Sequence, residues 1–129
     1  MRFGYTILYV RDVSASLEMY ERAFGQRRRF VHETGEYAEL DTGETTLALA
    51  SHELAGANLG DAFRPPDPGE PVSAFEVCFV TDDVAGAYER AVREGAEPVS
   101  GPETRPWGQD VAYVRDADGN LIELASPAR

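Results

Sequence analysis

The chain carries one pattern twice, and this repeat restricts its fold more than any other feature. The first copy runs Tyr5-Thr-Ile-Leu-Tyr-Val10-Arg-Asp12-Val13 and continues through Ser14 to Gly25. The second runs Glu76-Val-Cys-Phe-Val80-Thr-Asp82-Asp83-Val84 and continues through Ala85 to Gly95. Each copy reads as a strand, an acidic turn, an amphipathic helix and a glycine stop. Tyr5 matches Glu76, Asp12 matches Asp83, Val13 matches Val84 and Glu18 matches Glu89. Self-similarity of this kind sets the architecture before any single residue is considered. Here it predicts two similar half-modules within one domain.

The first half follows from periodicity. Phe3, Tyr5, Ile7 and Tyr9 alternate with Thr6, Leu8 and Val10, a period of two that makes a strand. Asp12 or Ser14 can cap the helix that follows, because a short oxygen side chain accepts from a free N–H of the first turn. Val13, Leu17, Tyr20 and Phe24 then recur at helical spacing as one buried stripe, and Gly25 stops the helix. Runs at 29–34, 37–41 and 45–50 are separated by Gly35 and Gly43 in hairpin-turn compositions. They predict antiparallel strands, so the first half is β-α-β-β-β, over about residues 3–50. Glu39 falls on a hairpin surface in this reading, and the basic run Arg27-Arg-Arg29 falls on solvated surface.

Residues 51–59 suit a short helix. The segment Arg64-Pro-Pro-Asp-Pro-Gly-Glu-Pro71 suits neither helix interior nor central strand, because proline lacks a donor and holds φ. It predicts a linker over about residues 60–72. The second half, about 73–126, repeats the plan. Residues 73–80 form a strand, and Val84, Tyr88, Ala91 and Val92 form a helix stripe. Residues 97–109 read as loop with a short strand near Val99. Strands at 110–115 and 121–125 are joined by the turn Asp116-Ala-Asp-Gly-Asn120.

The predicted fold class is therefore α+β: two βαβββ half-modules forming a curved mixed-sheet cup, in a single domain spanning 1–129. Each sheet must bury its helix-facing side, so the other side lines the cup. Strand parity turns Tyr5, Ile7, Tyr9, Ala48, Ala50, Glu76, Cys78, Leu121 and Glu123 into it. Ala48 and Ala50 are small and leave room for a ligand. Tyr5 and Tyr9 can stack on that ligand or donate hydroxyls. Trp107 sits on a loop between prolines and is placed near the mouth, where an aromatic can close over a ligand.

Composition removes several function classes. The 129 residues carry a formal charge of −11, which opposes nucleic-acid binding, since phosphate contact needs a basic face. That charge suits a cationic ligand. No stretch approaches the roughly 18 apolar residues that span a bilayer. The first residues lack the basic-then-apolar plan of a signal peptide. The single Cys78 has no internal disulfide partner and behaves as a small apolar residue. The expectation is a cytoplasmic protein with no membrane and no nucleic-acid partner. There is no nucleophile triad, phosphate loop or CxxC.

Several motifs together resemble the vicinal oxygen chelate superfamily, the fold of glyoxalase I, extradiol dioxygenases, fosfomycin-resistance enzymes and bleomycin-resistance proteins. They are Val10-x-Asp12 with Ser16-Leu-Glu-Met-Tyr20-x-x-x-Phe24-Gly25, then Val80-Thr-Asp-Asp-Val84 with Gly95-Ala96. The most specific is Tyr113-Val-Arg-Asp-Ala-Asp118-Gly119-Asn-Leu-Ile-Glu123-Leu124. The resemblance implies a homodimer, with cups that use strands of both chains in many members. It also implies that metal-binding members would hold the ion at the positions of Tyr5, Ala48, Glu76 and Glu123. Only Glu123 is the residue expected there. Histidines are missing at Tyr5 and Glu76, alanine cannot ligate, and His32 and His52 fall elsewhere. Fe(II), Ni(II) and Zn(II) sites favour imidazole.

The expected function is a small-molecule binding protein of the glyoxalase/bleomycin-resistance type, without catalytic metal or other cofactor. Its ligand-binding cup comprises Tyr5, Tyr9, Ala48, Glu76, Trp107 and Glu123. The alternative is a metal-dependent lyase, isomerase or dioxygenase that recruits a divalent metal through Glu76 and Glu123. If the two acids share a dry cup, one of them should hold its proton more tightly.

Overall fold

A computed structural model describes residues 1–128 of the chain. Strand β1 (Tyr5–Val10) leads into helix α1 (Val13–Phe24), then strands β2 (Arg28–Val31), β3 (Tyr37–Leu40) and β4 (Thr46–Ser51). Helix α2 (His52–Leu59) and a 3-10 turn at Gly60–Ala62 follow. Strand β5 (Val77–Val80), helix α3 (Val84–Arg93) and strands β6 (Glu97–Thr104), β7 (Asp110–Arg115) and β8 (Leu121–Ala125) complete the chain. The compact units are Met1–Pro65 and Pro66–Arg129, which meet inside the proline-rich segment. Their sheets have orders β1-β4-β3-β2 and β5-β8-β7-β6, the same plan twice. The predicted pair of βαβββ half-modules in an α+β fold is what the chain forms. No helix among the described residues is long and apolar enough to cross a membrane.

In the first unit β1 lies parallel to β4, and β3 lies antiparallel to it. Leu8 and Val10 are buried on the helix side, whereas Tyr5 and Ile7 stay exposed on the other. Helix α1 starts where the Asp12 carboxylate accepts from the Ala15 N–H at 3.1 Å. Asp12, not Ser14, is thus the cap. The helix ends at Gly25, whose φ of 65° is left-handed; glycine takes that conformation without a Cβ clash. Val13, Leu17 and Tyr20 are buried with Leu8, Leu40 and Leu49. Each fully buried leucine contributes about 1.5–3 kcal/mol of transfer free energy.

In the second unit Val84 and Ala91 of α3, Ala112 and Val114 of β7, and Ile122 and Leu124 of β8 form the buried layer. Asp83 caps α3 by accepting from the Gly86 N–H at 2.9 Å. The parity expected for β8 holds, with Ile122 and Leu124 buried and Glu123 on the opposite face.

Sequence and structure differ in particular places. The strand expected over 73–80 begins only at Val77, so Glu76 lies just before β5 rather than within it. The segment expected to be mostly loop forms β6, eight residues long. Its Pro98 and Pro102 are tolerated because β6 is an edge strand with register shifts between Pro98 and Ser100 and between Ser100 and Glu103. Glu39 does not sit on an exposed hairpin surface. It pairs with Ala48 on the open face of the first sheet, and its side chain is 17% exposed. Arg29 is likewise more than solvated surface. Arg28 pairs with Leu40 and Phe30 with Glu39, so Arg29 is the extra residue of a bulge.

The β7–β8 turn is a buried polar knot. Asp116 accepts from the N–H of Asp118 (3.0 Å), the N–H of Asn120 (2.9 Å) and the Asn120 amide Nδ2 (3.0 Å). The Arg115 guanidinium donates to the carbonyls of Gly119 (2.9 Å), Glu70 (2.7 Å) and Asp67 (3.3 Å). It therefore ties the proline-rich segment to the turn, 45 residues on from Glu70.

Candidate functional site

The open face of the second sheet holds the chemistry. Glu123 lies between Cys78 of β5 and Tyr113 of β7 in register. The Tyr113 hydroxyl donates to Glu123 Oε1 at 2.8 Å. This bond pushes the Tyr113 phenol above its ordinary value, with burial adding to the effect. The Glu76 carboxyl is also raised, first by desolvation, then by the negative charge of Glu123 and by hydrogen bonding with it. Two carboxylates brought together cannot both ionise freely. Desolvation and the neighbouring charge make Glu76 hold its proton more tightly than a free glutamate does. The Cys78 thiol is pushed up to about 12 by desolvation first and by Glu123 next. That keeps it a thiol at neutral pH and a poor nucleophile, although its strand leaves it exposed.

The first sheet's open face has its own polar cluster. Arg29 Nη2 donates to Glu39 Oε1 at 2.9 Å and to Thr46 Oγ1 at 2.6 Å. The Tyr37 hydroxyl donates to Glu39 Oε2 at 2.8 Å. The Tyr37 bond, with Arg29 adding to it, lowers the Glu39 carboxyl below its ordinary value despite partial desolvation. Desolvation first, and then the bond to Glu39, pushes Tyr37 up to about 12. Tyr9 meets Phe63 edge to face at 5.2 Å, and His52 lies 5.7 Å from Phe63.

Among the residues anticipated from sequence, Glu76 and Glu123 are brought together within the second unit. Trp107 is in the same unit, at the β6–β7 turn, 65% exposed, with its indole N–H donating to Gln109 at 2.8 Å. Tyr5 and Tyr9 lie along β1 of the first unit, and Ala48 is buried between Ile7 and Glu39 in register. A ligand on that face meets the side chains around Ala48 before its methyl group. Tyr113, Tyr37, Glu39 and Arg29 carried no functional role in the sequence reading. Tyr113 was accessible to it, since counting back from the turn at 116–120 sets it opposite Glu123. Arg29 was not, because a bulge leaves no mark in the apolar pattern.

The donor set does not fit a resident transition metal. Glu76 and Glu123 offer oxygen only, whereas Fe(II), Ni(II) and Zn(II) sites favour imidazole. Among the described residues no group of three or more His, Cys, Asp or Glu is placed to hold a metal ion. His32 Nδ1 is engaged with Thr34 Oγ1 at 2.9 Å in the turn after β2.

The two carboxyls give opposite pH signatures. Glu39, lowered in the folded state, stabilises the fold above its unfolded value, and that contribution is lost as pH falls through the folded one. Glu76, raised in the folded state, binds more protons folded than unfolded just above 4.5. Stability therefore falls as pH rises through that window. Urea midpoints should show Glu39→Gln costing about 1 kcal/mol at pH 7 and little at low pH. Glu76→Gln should be neutral at low pH and stabilising at pH 7–8. Parallel profiles for the two variants would contradict this.

The family model for the Glyoxalase/Bleomycin resistance protein/Dioxygenase superfamily matches residues 2–124. The uncharacterized protein YraH of Bacillus subtilis (strain 168) is 33% identical over 118 residues, covering 91% of each chain. A glyoxalase-related enzyme from Fulvimarina pelagi has the same fold, with a TM-score of 0.85 at 22% identity, over 98% of this chain and 88% of that one. A protein from Agrobacterium tumefaciens str. C58 superposes with a TM-score of 0.79 at 24% identity, over 98% and 94% of the two chains. With two βαβββ units in place and a family match over nearly its full length, the chain belongs to the Glyoxalase/Bleomycin resistance protein/Dioxygenase superfamily.

Proposed function

We propose that this chain is a small-molecule binding protein that works without a resident transition metal and recognises an amine on the Glu76–Glu123 pair. The observation that carries this reading is the apposition of the Glu76 carboxyl, just before β5, to Glu123 of β8, which is oriented by Tyr113. A protonated amine relieves the repulsion that Glu76 otherwise meets by holding a proton. Binding should therefore release a proton and tighten as pH rises from 5 to 7. Calorimetry with benzylamine and spermidine in two buffers of different ionisation enthalpy tests this. Glu123→Gln should weaken amine binding roughly tenfold or more, because a charge-assisted hydrogen bond is worth about 1.5–3 kcal/mol. Glu89→Gln, on the exposed side of α3, should change affinity less than twofold in moderate salt, which screens the general field. Equal effects of the two substitutions would defeat the reading.

A second reading rests on the same raised carboxyl. A proton held at Glu76 beside the Glu123 carboxylate is an acid–base pair, which suits a lyase or isomerase. Metal analysis of untagged protein separates the metal-dependent form of this reading from the first. Stoichiometric Fe, Ni or Zn that survives dialysis would favour the enzyme and count against metal-free binding. In either reading the protein is a homodimer, as the family resemblance implies. Light scattering at micromolar concentration should give twice the chain mass, and a monomer mass would overturn the dimer.

A further inference from the structure

We propose that residues 52–63 form a strap that opens and closes as one piece at the end of β1, with Phe63 as its latch. The strap comprises α2 and the 3-10 turn that follows it. It is attached at two places. Near its start Ser51 caps α2 by accepting from the Leu54 N–H at 3.0 Å, and Ala55 is buried. At its end Phe63 meets the Tyr9 ring edge to face at 5.2 Å and lies 5.7 Å from the His52 ring. Residues 56–62, between these attachments, are all exposed.

The exposed span is weakly held. Among the described residues of α2, only Ala55 is buried, so apolar burial secures little of the helix. Gly56 and Asn58 are poor helix formers, and a helix of eight residues does not persist without packing. Gly60, with φ of 55°, marks a pivot between α2 and the 3-10 turn.

The latch is balanced between two opposed effects. His52 Nε2 is buried and has no hydrogen-bond partner among the described residues. In a neutral imidazole that atom carries either an N–H or a lone pair, so a polar group goes unsatisfied in both tautomers. The missing bond opposes the closed form. The ring contacts of Phe63 favour it by a comparable amount. Lifting Phe63 gives up those contacts but admits water to Nε2, which leaves the open form as a populated minor state. Closing covers Tyr9. Tyr5, Ile7 and Tyr9 share one face of β1, yet the first two are exposed and Tyr9 is partly buried. Opening therefore presents the Tyr9 ring and the His52 imidazole together. The strap lies within the first unit and uses neither Glu76 nor Glu123. Its failure would leave the amine reading untouched.

Amide hydrogen exchange on the whole protein, resolved by NMR, tests the strap. The α2 amides should exchange as a group, at least a hundredfold faster than those of Leu47 and Leu49 in β4. Phe63→Ala should speed exchange about threefold across residues 54–60 and leave β4 unchanged. His52→Phe removes the unpaired nitrogen but keeps a ring and a similar helix propensity. It should slow exchange across the same residues about tenfold. Acceleration in Phe63→Ala that is confined to residues 61–63 would show local fraying and overturn the single strap. Equal acceleration in the strap and in β4 would overturn it too. His52→Leu, a second apolar replacement, covers the case in which the Phe ring does not fit beside Phe63. Exchange that is unchanged or faster in both His52 variants would refute the latch.

Discussion

Replacing Gly119 by alanine should cost about 3–5 kcal/mol, a large part of the stability of a domain this size. Two penalties act together. Gly119 sits at φ of 89°, where an L side chain is strained by about 1–3 kcal/mol. A Cβ there would also lie 2.9 Å from Pro68 Cα, 3.1 Å from Pro68 N and 2.8 Å from Arg115 Nη2. The guanidinium tip could shift, but the Pro68 backbone cannot without giving up its place beside the turn. Gly35 supplies the comparison. Its φ is 74°, and a Cβ would meet nothing within 4 Å. Gly35→Ala should therefore cost only about 1–2 kcal/mol, the conformational penalty alone. Urea denaturation of both variants measures the difference. Equal losses would show that backbone conformation, and not the close approach of the proline-rich segment, makes glycine necessary at 119.

Arg115→Met should cost about 2–4 kcal/mol, because it leaves the carbonyls of Gly119, Glu70 and Asp67 without their donor while nearly preserving the aliphatic stem. Arg115 is only 9% exposed, so water would not freely take over those bonds. The loss should also reach the candidate site. Glu70 is six positions before Glu76, and freeing this segment increases the number of positions the Glu76 carboxyl samples. Amine affinity should fall about threefold in Arg115→Met, while Tyr113–Glu123 geometry, within the β7–β8 ladder, stays intact. Hydrogen exchange should report faster opening at residues 68–76 than at β8. Uniform acceleration across the second unit would mean that Arg115 supports the whole unit and not this segment.

Much of the site's environment was legible in the chain itself. The turn at 116–120 sets the register of β7 against β8, and alternation then places Glu123 opposite the buried Ile122 and Leu124. The acidic turns before Val13 and Val84 and the stop at Gly25 marked the helix boundaries, although the choice of Asp12 over Ser14 as cap came from the structure. The α+β class and the paired half-modules followed from the repeat. All of these rest on local periods and caps, which a sequence displays directly.

Other features depended on partners distant in the chain. Proline content argued for a loop at 97–104, yet pairing with β7 supplied enough backbone bonds to hold an edge strand there. Glu39 looked like hairpin surface until Arg29 and Tyr37 were placed around it. The Arg115 clamp joins residues 45 and 48 positions apart, and nothing in the local pattern of either segment specifies it. What the sequence by itself determined was which face β1 and β8 turn toward the helices, because burying apolar side chains at a period of two admits one register. What only the tertiary structure decided was which polar groups on the opposite faces meet. Hydrogen bonds need donor and acceptor within about 3 Å, and a single bulge or a docked linker moves a side chain by more than that.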